Sequence, residues 1–367
     1  MVNVVVSIPI AIGKWLGTSL IRELNYKFTK LLKFSKLSSV LGILLLYSCD
    51  KAFYETPPSA TPLSTYQAFW QGYEDYYVEF ELKKINWDSM RQVYEPQITE
   101  NTSDEALYEI FKLHLDYLKD AHSSIYPLPQ DLLPYNYVRE GASNFLGIDT
   151  LTSKYLELGL GNSAIRYSWI NNKNIGYIWI RSFSLSPRLY VIIDDIVQEF
   201  ENADAIIIDV RDNGGGSETL ARSMASRFVT GDYTYSYVQR RTGNNHELTT
   251  PEPFILEDKS FTKYTGKVAL LTNRKTFSAA EGFALMLRGN SNLIHVGDAT
   301  QGGSGTTPIV RELPNGWSHR LSSVLLSDAN QIPIIEGVQP THFSTISPID
   351  SIHQVDRILE DAIQLLQ

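Results

Sequence analysis

Ser278 has the sequence position best suited to nucleophilic chemistry. It follows an apolar stretch that ends at Thr272, and a second apolar stretch begins directly after it with Ala279-Ala280-Glu281. The pattern predicts a strand, a short turn and a helix that begins at the serine. Backbone N–H groups at a helix start lack intrahelical partners and the helix dipole is positive there, so an alkoxide or oxyanion is stabilised. Serine is also a preferred N-cap, and the segment taken alone favours that simpler interpretation.

His122 is the candidate base for such a serine. The apolar period of a predicted helix stops at Leu118, and small polar residues then surround His122. Histidine is the side chain whose ordinary pKa lies close to the pH where a general base is useful. His114 lies on the apolar side of the same helix and is interpreted as a packed, hydrogen-bonded histidine. A lone histidine in a loop more often has no catalytic role. The assignment of His122 as a base therefore depends on other features of the sequence.

A predicted strand over residues 205–211 runs into a turn with three consecutive glycines, Asp212-Asn213-Gly214-Gly215-Gly216. Such glycines expose backbone N–H groups and permit close approach, as an oxyanion site or a phosphate cradle requires. No Gly-Lys-Ser/Thr follows, which excludes a Walker loop. A flexible turn is the structural alternative. Asp209 and Arg211 are expected to brace the turn by pairing, and Asn213 is expected to support it.

Composition excludes several classes of protein. The chain has 367 residues, is 43% hydrophobic and carries a formal charge of −9, so it can bury a large core and nucleic acid is not an expected partner. Cys49 is the single cysteine, which excludes an internal disulfide, and no Cys/His cluster has zinc-site spacing. No metal and no cofactor are therefore expected.

The N-terminal segment is typical of a bacterial lipoprotein signal. Three lysines precede the apolar run of residues 37–47, and Ser48-Cys49 follows. The run is too short to span a bilayer as a helix. We therefore predict a signal segment over residues 1–48, a lipid on Cys49 that provides membrane attachment, and a bacterial envelope location, periplasmic or outer membrane. A membrane anchor or a buried helix is the alternative.

The rest of the chain divides by its hydrophobic patterns. Residues 49–62 are proline-rich and predict a tether. Three helices follow, with an aromatic stripe that is interpreted as core. Strand and helix patterns then alternate, which indicates right-handed crossover units. The expected divisions are a helical subdomain over 63–130, a connecting segment over 131–170, and a domain over 171–367 that ends in an amphipathic helix.

Three segments, in this order, resemble motifs of the C-terminal processing and tricorn peptidases. They are residues 209–216, residues 276–281 and the segment Val296-Gly297-Asp298-Ala299-Thr300-Gln301-Gly302-Gly303. Asp120-Ala121-His122 and Gly337-Val338-Gln339-Pro340 also look like that family, so the resemblance covers most of residues 64–367. It implies an α/β (α+β), crotonase-like core of repeated ββα units, preceded by a small helical bundle.

The resemblance also suggests how the serine is activated. Processing peptidases place a lysine base in a Thr-x-Gly-Lys-Gly segment, and Gly303 stands here where that lysine is expected. Lys275 is close to Ser278 in sequence but lies ahead of it in the turn. The tricorn-like branch uses a histidine, which His122 matches. A serine endopeptidase with a Ser278–His122 pair is therefore expected.

Other site residues follow from the resemblance alone. The backbone N–H groups of Gly215 and Ala279 are expected to form the oxyanion hole, with Gly214 as the alternative to Gly215. Glu336 is expected to orient the histidine, although the family's glutamate aligns a little farther upstream.

This chain has Ala121 at the position where the family has a helper serine. A slow or inactive enzyme is therefore an open alternative.

The expected substrate is a short or unfolded polypeptide. Only about fifty residues separate His122 from the strand at Ile175, too few for the PDZ domain that many relatives insert there. Ala279, the uncharged residue after the nucleophile, gives no reason for a preference for basic side chains. Two alternatives stay open: a non-catalytic protein of the same fold that binds peptides or apolar ligands, and a crotonase-type enzyme that acts on thioesters. The sequence does not indicate an oligomeric state.

Overall fold

The computed structural model describes residues 59–367 apart from 129–130, 142–143, 158, 243–245 and 304–307. Residues Ser59–Gln367 form one compact unit. The signal segment, Cys49 and most of the tether lie outside the described residues. In the described part of the chain, no helix has the length and apolar character needed to cross a bilayer.

The helices carry labels in chain order. They are α1 (Pro62–Tyr76), α2 (Phe80–Lys83), α3 (Trp87–Tyr94), α4 (Asp104–Leu118), α5 (Ile148–Lys154), α6 (Ile193–Glu199), α7 (Glu218–Ala225), α8 (Ala279–Leu287), α9 (Pro348–Ile352) and α10 (Arg357–Leu366). Short 3-10 helices span Glu95–Gln97 and Pro187–Leu189.

The strands are labelled in the same way. They are β1 (Ser124–Tyr126), β2 (Tyr135–Asn136), β3 (Leu160–Gly161), β4 (Ile165–Trp169), β5 (Ile175–Ile180), β6 (Ala205–Asp209), β7 (Tyr233–Arg240), β8 (Glu252–Leu256), β9 (Lys267–Thr272), β10 (Leu293–Gly297), β11 (Ile309–Glu312), β12 (Ser318–Leu321), β13 (Val324–Asp328) and β14 (His342–Phe343).

A seven-stranded sheet forms the centre of the fold, in the order β14-β10-β9-β6-β5-β4-β3. Strands β5, β6, β9, β10 and β14 run parallel, and β3 and β4 are antiparallel additions at one edge. Successive residues of β6 alternate between two cores: Ile206 and Ile208 belong to one, Ala205 and Ile207 to the other. Helices α6, α7 and α8 contribute to the first core, and α5 and α10 to the second. The predicted α/β core is confirmed.

The N-terminal helices form a third core around the predicted aromatic stripe. Tyr66, Phe69, Tyr73 and Tyr77 are fully buried. The first helix begins at Pro62, one residue before the predicted start of the helical subdomain at residue 63, because Thr61 caps it and Pro62 occupies its first turn, where a proline N–H is not needed.

His114 is packed and hydrogen-bonded as expected. Its ring contacts the Tyr66 hydroxyl at 3.1 Å and the Ile110 carbonyl at 2.8 Å.

A four-stranded sheet has the order β11-β12-β1-β2. It brings β1 and β2, which follow α4, next to β11 and β12 from the C-terminal part of the chain. Its strand β1 begins two residues after His122, at Ser124, and pairs with β12. The segment over 131–170 also carries α5, β3 and β4, and two of these are strands of the central sheet. The predicted division into subdomains stays a prediction.

Candidate active site

Ser278 lies in a sharp turn between β9 and α8, where the sequence predicted it. Its backbone has φ 58° and ψ −121°, a conformation that an L-residue adopts only under strain, at a cost of about 1–3 kcal/mol. The serine N–H donates to Glu281 Oε2 at 2.9 Å, which ties the turn to the first turn of α8. Strain of this kind in a strand–turn–helix is typical of nucleophiles that must project from a sheet.

Glu281 connects the serine turn to the segment after β10. It is buried, and its Oε1 accepts hydrogen bonds from Thr300 Oγ1 at 2.6 Å and from the Gly302 N–H at 2.9 Å. Burial raises the pKa of this carboxyl to about 7, although the three donors oppose the rise. The side chain therefore fixes the serine turn relative to residues 300–302.

His122 is held by its backbone on two sides. Its N–H donates to Asp120 Oδ1 at 3.0 Å, and its carbonyl accepts from Arg320 Nε at 3.0 Å. The imidazole is 2% exposed and lies against the ring of Phe277, with centroids 4.1 Å apart. The histidine ring therefore contacts the residue that directly precedes Ser278.

The imidazole of His122 is neutral at physiological pH. Burial lowers the pKa of His122 to about 4, and the opposing attraction of Asp120 does not reverse this. Within the described residues neither ring nitrogen has a hydrogen-bond partner. Buried polar atoms without partners are rare in folded proteins, and they often mark a functional position.

Ser278 and His122 line the same cavity, of about 440 Å³. The other lining residues are Ser184, Gly214, Gly216, Glu218, Tyr235, Phe277, Ala279, Gly282, Pro308, Arg320 and Leu326. In this structure the Ser278 hydroxyl makes no hydrogen bond with the imidazole, since both ring nitrogens lack a partner among the described residues. Such contacts are often long in a free enzyme and shorten when substrate binds.

Gly303, at the position of the processing-peptidase lysine, lies beside the imidazole. A Cβ on Gly303 would lie 3.2 Å from Asp120 Oδ1 and 3.7 Å from His122 Nδ1. A Cβ there would crowd Asp120 Oδ1 and make an ordinary van der Waals contact with the imidazole. Because Gly303 has no side chain, the space beside the Asp120 and His122 side chains stays open at this position.

The glycine turn after β6 also borders the serine. A Cβ on Gly215 would lie 2.8 Å from the Ala279 nitrogen and 2.9 Å from Ser278 Cβ, so only glycine fits. The Gly215 N–H, however, donates to Asn213 Oδ1 at 2.9 Å. The expectation that Gly215 supplies an oxyanion donor does not hold in this structure, because the Asn213 side chain occupies its N–H. Among the described residues the N–H groups of Gly214 and Ala279 make no hydrogen bond, and both residues line the cavity.

Asp209 and Arg211 lie beneath this turn, and both are fully buried. Arg211 Nη2 contacts Asp209 Oδ2 at 2.6 Å, and Arg211 Nη1 contacts Asp356 Oδ1 at 2.8 Å. The Tyr177 hydroxyl also donates to Asp209. The pair therefore connects the end of β6 to the start of α10, away from the cavity.

Glu336 and Lys275 are not brought to the cavity. The Glu336 carboxylate pairs with Arg139 Nη1 at 2.6 Å and its side chain is 76% exposed, so it is not placed to orient His122. The Lys275 ammonium lies 3.6 Å from Asp212 Oδ2 and the side chain is 58% exposed. The expectation for Glu336 is corrected by this geometry, since an exposed ion pair holds it elsewhere.

Three groups near the nucleophile were not assigned a role from the sequence. Asp120 belongs to the segment Asp120-Ala121-His122. A carboxylate two residues before the candidate base is a sequence signal for a role beside that base. Glu281 stands at the third helical position after Ser278, which is a capping pattern. Arg320 gave no signal, because its contact with His122 joins residues 198 positions apart.

Known proteins resemble this chain in two regions. Residues 174–342 match the model of peptidase family S41, and residues 58–115 match that of the tricorn protease C1 domain. Carboxy-terminal processing protease CtpA of Bacillus subtilis is 30% identical over 158 residues, which are 42% of this chain and 32% of that protein. A tail-specific protease of Haemophilus influenzae is 30% identical over 151 residues, 41% of this chain and 20% of that protein. The matches thus span a third or less of these curated relatives.

Solved structures match over a larger share. A Parabacteroides merdae protein assigned as a peptidase has a TM-score of 0.75 at 30% identity, covering 83% of this chain and 96% of that chain. Mature CPAF, at 12% identity and a TM-score of 0.65 over 83% of this chain and 96% of that chain, has the same fold. Since the first match extends over almost all of that protein and the S41 model spans the segment that holds Ser278, this chain belongs to peptidase family S41.

Proposed function

We propose that this protein is a serine endopeptidase in which Ser278 attacks the peptide carbonyl and His122 is the general base. One observation carries the proposal. A strained serine at a helix start shares a cavity with a buried, neutral histidine whose ring nitrogens have no partner in the described residues. A serine hydroxyl is almost wholly protonated at neutral pH, so a neighbouring base is the main requirement for its activation.

The steps use groups that line the cavity. His122 removes the proton from Ser278 Oγ as the oxygen adds to the carbonyl carbon, and then gives it to the leaving amine. The N–H groups of Ala279 and Gly214 donate hydrogen bonds to the carbonyl oxygen as it becomes negatively charged; each such donor contributes about 3 kcal/mol of barrier reduction. Water, deprotonated by the same imidazole, then hydrolyses the acyl-enzyme.

Asp120 is proposed as the positioning carboxylate for His122, in place of Glu336. Its Oδ1 accepts from the backbone N–H of His122, and its Oδ2 accepts from Ser123 Oγ at 2.7 Å and Ser322 Oγ at 2.8 Å. Burial by itself raises the pKa of Asp120, but the Lys83 ammonium and the hydrogen bonds from the His122 backbone and Ser123 outweigh it, so the pKa is lowered and the group is ionised. A fixed negative charge beside the imidazole stabilises the imidazolium that forms during proton transfer.

The proposed substrates are short or unfolded polypeptides. The serine is half-buried, and the cavity of about 440 Å³ has room for a few side chains but not for a folded surface. An extended chain is the form of polypeptide that can bring its carbonyl carbon to such a position.

Fluorophosphonate labelling and casein digestion test the proposal. We expect the wild type to be labelled and to digest casein. Ser278→Ala should abolish labelling, and His122→Ala should slow both reactions by about 10²- to 10⁴-fold, the usual contribution of a general base. His353→Ala, which alters an exposed histidine, is the matched control and should match the wild type. Labelling that persists in Ser278→Ala would contradict the site, and an unlabelled wild type would favour a binding protein of the same fold.

The lipid anchor on Cys49 is a separate proposal, since that residue lies outside the described residues. It is supported by the lysine-rich segment, the apolar run of residues 37–47 and the small residue before Cys49. Bacteria that express the chain should incorporate labelled palmitate into it, and Cys49→Ser should remove the label. Equal labelling of the two proteins would refute the anchor.

A further inference from the structure

We propose that Arg320 selects substrates that carry a carboxylate close to the scissile bond. This rests on the proposed peptidase function and adds a substrate class to it. Arg320 lines the cavity of Ser278 and His122, and its charge, placement and donor geometry support the assignment.

Arg320 is fixed in position from several directions. It lies in β12, where its backbone pairs with Ser124 of β1 and with Val310 of β11. Its carbonyl accepts a hydrogen bond from the Tyr73 hydroxyl at 3.0 Å, and its Nε donates to the His122 carbonyl at 3.0 Å. The guanidinium is thereby hydrogen-bonded to the backbone of His122, the proposed base. A ligand bound to the guanidinium therefore has a defined distance from the reacting atoms.

Arg320 also brings to the cavity a positive charge that has no acidic partner among the described residues. Glu218, the acid among the lining residues, contacts Arg222 Nη2 at 2.9 Å and accepts a hydrogen bond from the Tyr235 hydroxyl. Burial keeps the His122 imidazole neutral, with its pKa near 4. No acidic side chain of the described residues forms an ion pair with Arg320, and the internal residues outside the description include no acid. A guanidinium on the cavity wall that has no acidic partner among the described residues favours an anionic ligand.

The remaining donors of Arg320 fit a carboxylate. Its Nε is engaged, but Nη1 and Nη2 make no hydrogen bond within the described residues. A guanidinium presents its N–H groups in a planar fork that matches the two oxygens of a carboxylate. The residue is half-buried, so the pair would be weakly screened by water. The carboxylate can be the C-terminus of the substrate or an Asp or Glu side chain, since both present the same two oxygens.

A set of four peptides separates these two sources. Each peptide is built on one casein segment that contains a glutamate, carries a fluorophore, and differs only in its C-terminus, acid or amide, and in glutamate or glutamine at that site. Binding is measured by fluorescence anisotropy to Ser278→Ala protein, so the result does not depend on turnover. We expect the carboxylate that Arg320 recognises to tighten binding by about tenfold to a hundredfold, as expected for a charge-assisted pair.

Substitution of Arg320 supplies the second arm. In the Ser278→Ala background, Arg320→Met should remove the preference for the carboxylate, Arg320→Lys should restore part of it, and Arg311→Met on the exposed strand β11 should leave it unchanged. A wild-type cavity that binds all four peptides equally would overturn the inference, as would equal weakening of all four by Arg320→Met. Failure of the peptidase proposal is a different result: peptide binding with the predicted preference but no fluorophosphonate labelling of Ser278.

Discussion

At the scale of single residues, the site depends on a glycine that replaces a basic side chain. Gly303 has φ +92°, and the space above its Cα is bordered by Asp120 and His122. A longer side chain at this position would start 3.2 Å from Asp120 Oδ1 and 3.7 Å from His122 Nδ1. Glycine at this position therefore agrees with the proposed use of His122 as the base.

Gly303→Ala should lower kcat/KM for casein-derived peptides by at least tenfold, because the new Cβ would lie 3.2 Å from Asp120 Oδ1 and would push this carboxylate away from its place beside His122. The left-handed backbone adds a stability cost of about 1 kcal/mol. Gly316→Ala is the matched control, since Gly316 has φ +85° but nothing within 4 Å of its Cβ position. It should lose similar stability and keep its activity. Equal activity of the two variants would show that the space beside His122 is irrelevant.

Asp120→Asn should lower kcat/KM by about a hundredfold, within the range by which general bases assist proton transfer. The substitution removes the charge that stabilises the imidazolium and preserves the shape of the side chain. Glu336→Gln, which breaks the exposed contact with Arg139, should leave kcat/KM within twofold. Steady-state kinetics on one peptide measures both. The opposite ranking would return the role of orienting carboxylate to Glu336.

At the scale of elements, the turn from β9 into α8 holds the nucleophile in a conformation that serine resists. Glu281 fixes the turn from one side, and the glycine turn after β6 limits it from the other. The strand, turn and helix were predictable, because the apolar periods on either side of Ser278 are clear. The positive φ and the carboxylate of Glu281 were not, since they depend on contacts with β6 and with residues 300–302.

Ser278→Gly should be more stable than Ser278→Ala by about 1 kcal/mol. Glycine adopts φ 58°, ψ −121° without the steric cost that alanine retains, and this outweighs its larger entropy loss. Both variants lack the hydroxyl and should be inactive. Urea unfolding monitored by tryptophan fluorescence compares them. A glycine variant that is equally or less stable would mean that the turn is not strained.

At the scale of the whole molecule, the site is assembled by the two sheets. The seven-stranded sheet places Ser278, and the four-stranded sheet places His122 through the pairing of β1 with β12. The sequence indicated the α/β core through its apolar strands, and family resemblance connected Ser278 with His122. Neither the strand pattern nor the resemblance indicated a role for Arg320 or the position of Glu336 away from the cavity. Both depend on side-chain contacts between segments about 200 residues apart.

Buried histidines should make the folded protein sensitive to acid. Burial lowers the pKa of His295 to about 3, with Arg288 acting in the same direction, whereas an unfolded histidine titrates near 6.5. The unfolded state therefore binds more protons below pH 6.5, and the stability present above that pH is lost as the pH falls towards 3. Between pH 7 and pH 5 each such histidine removes about 2 kcal/mol from the free energy of unfolding.

His295→Gln should therefore lose less stability than the wild type between pH 7 and pH 5, by about 2 kcal/mol. His353→Gln alters an exposed histidine and should follow the wild type. Urea unfolding at the two pH values gives the differences. If the pH dependence is the same in all three proteins, His295 does not remain neutral in the folded state.

Alkylation by a peptidyl chloromethyl ketone tests the approach of Ser278 to His122 most directly. The Ser278 oxygen adds to the ketone carbon, and the imidazole displaces chloride from the adjacent carbon, so one small molecule must reach both residues. Peptide mass spectrometry should place the alkyl group on His122 in the wild type and find none in Ser278→Ala. An inhibitor attached to another residue, or His122 left unmodified while Ser278 still reacts with a fluorophosphonate, would contradict the Ser–His mechanism.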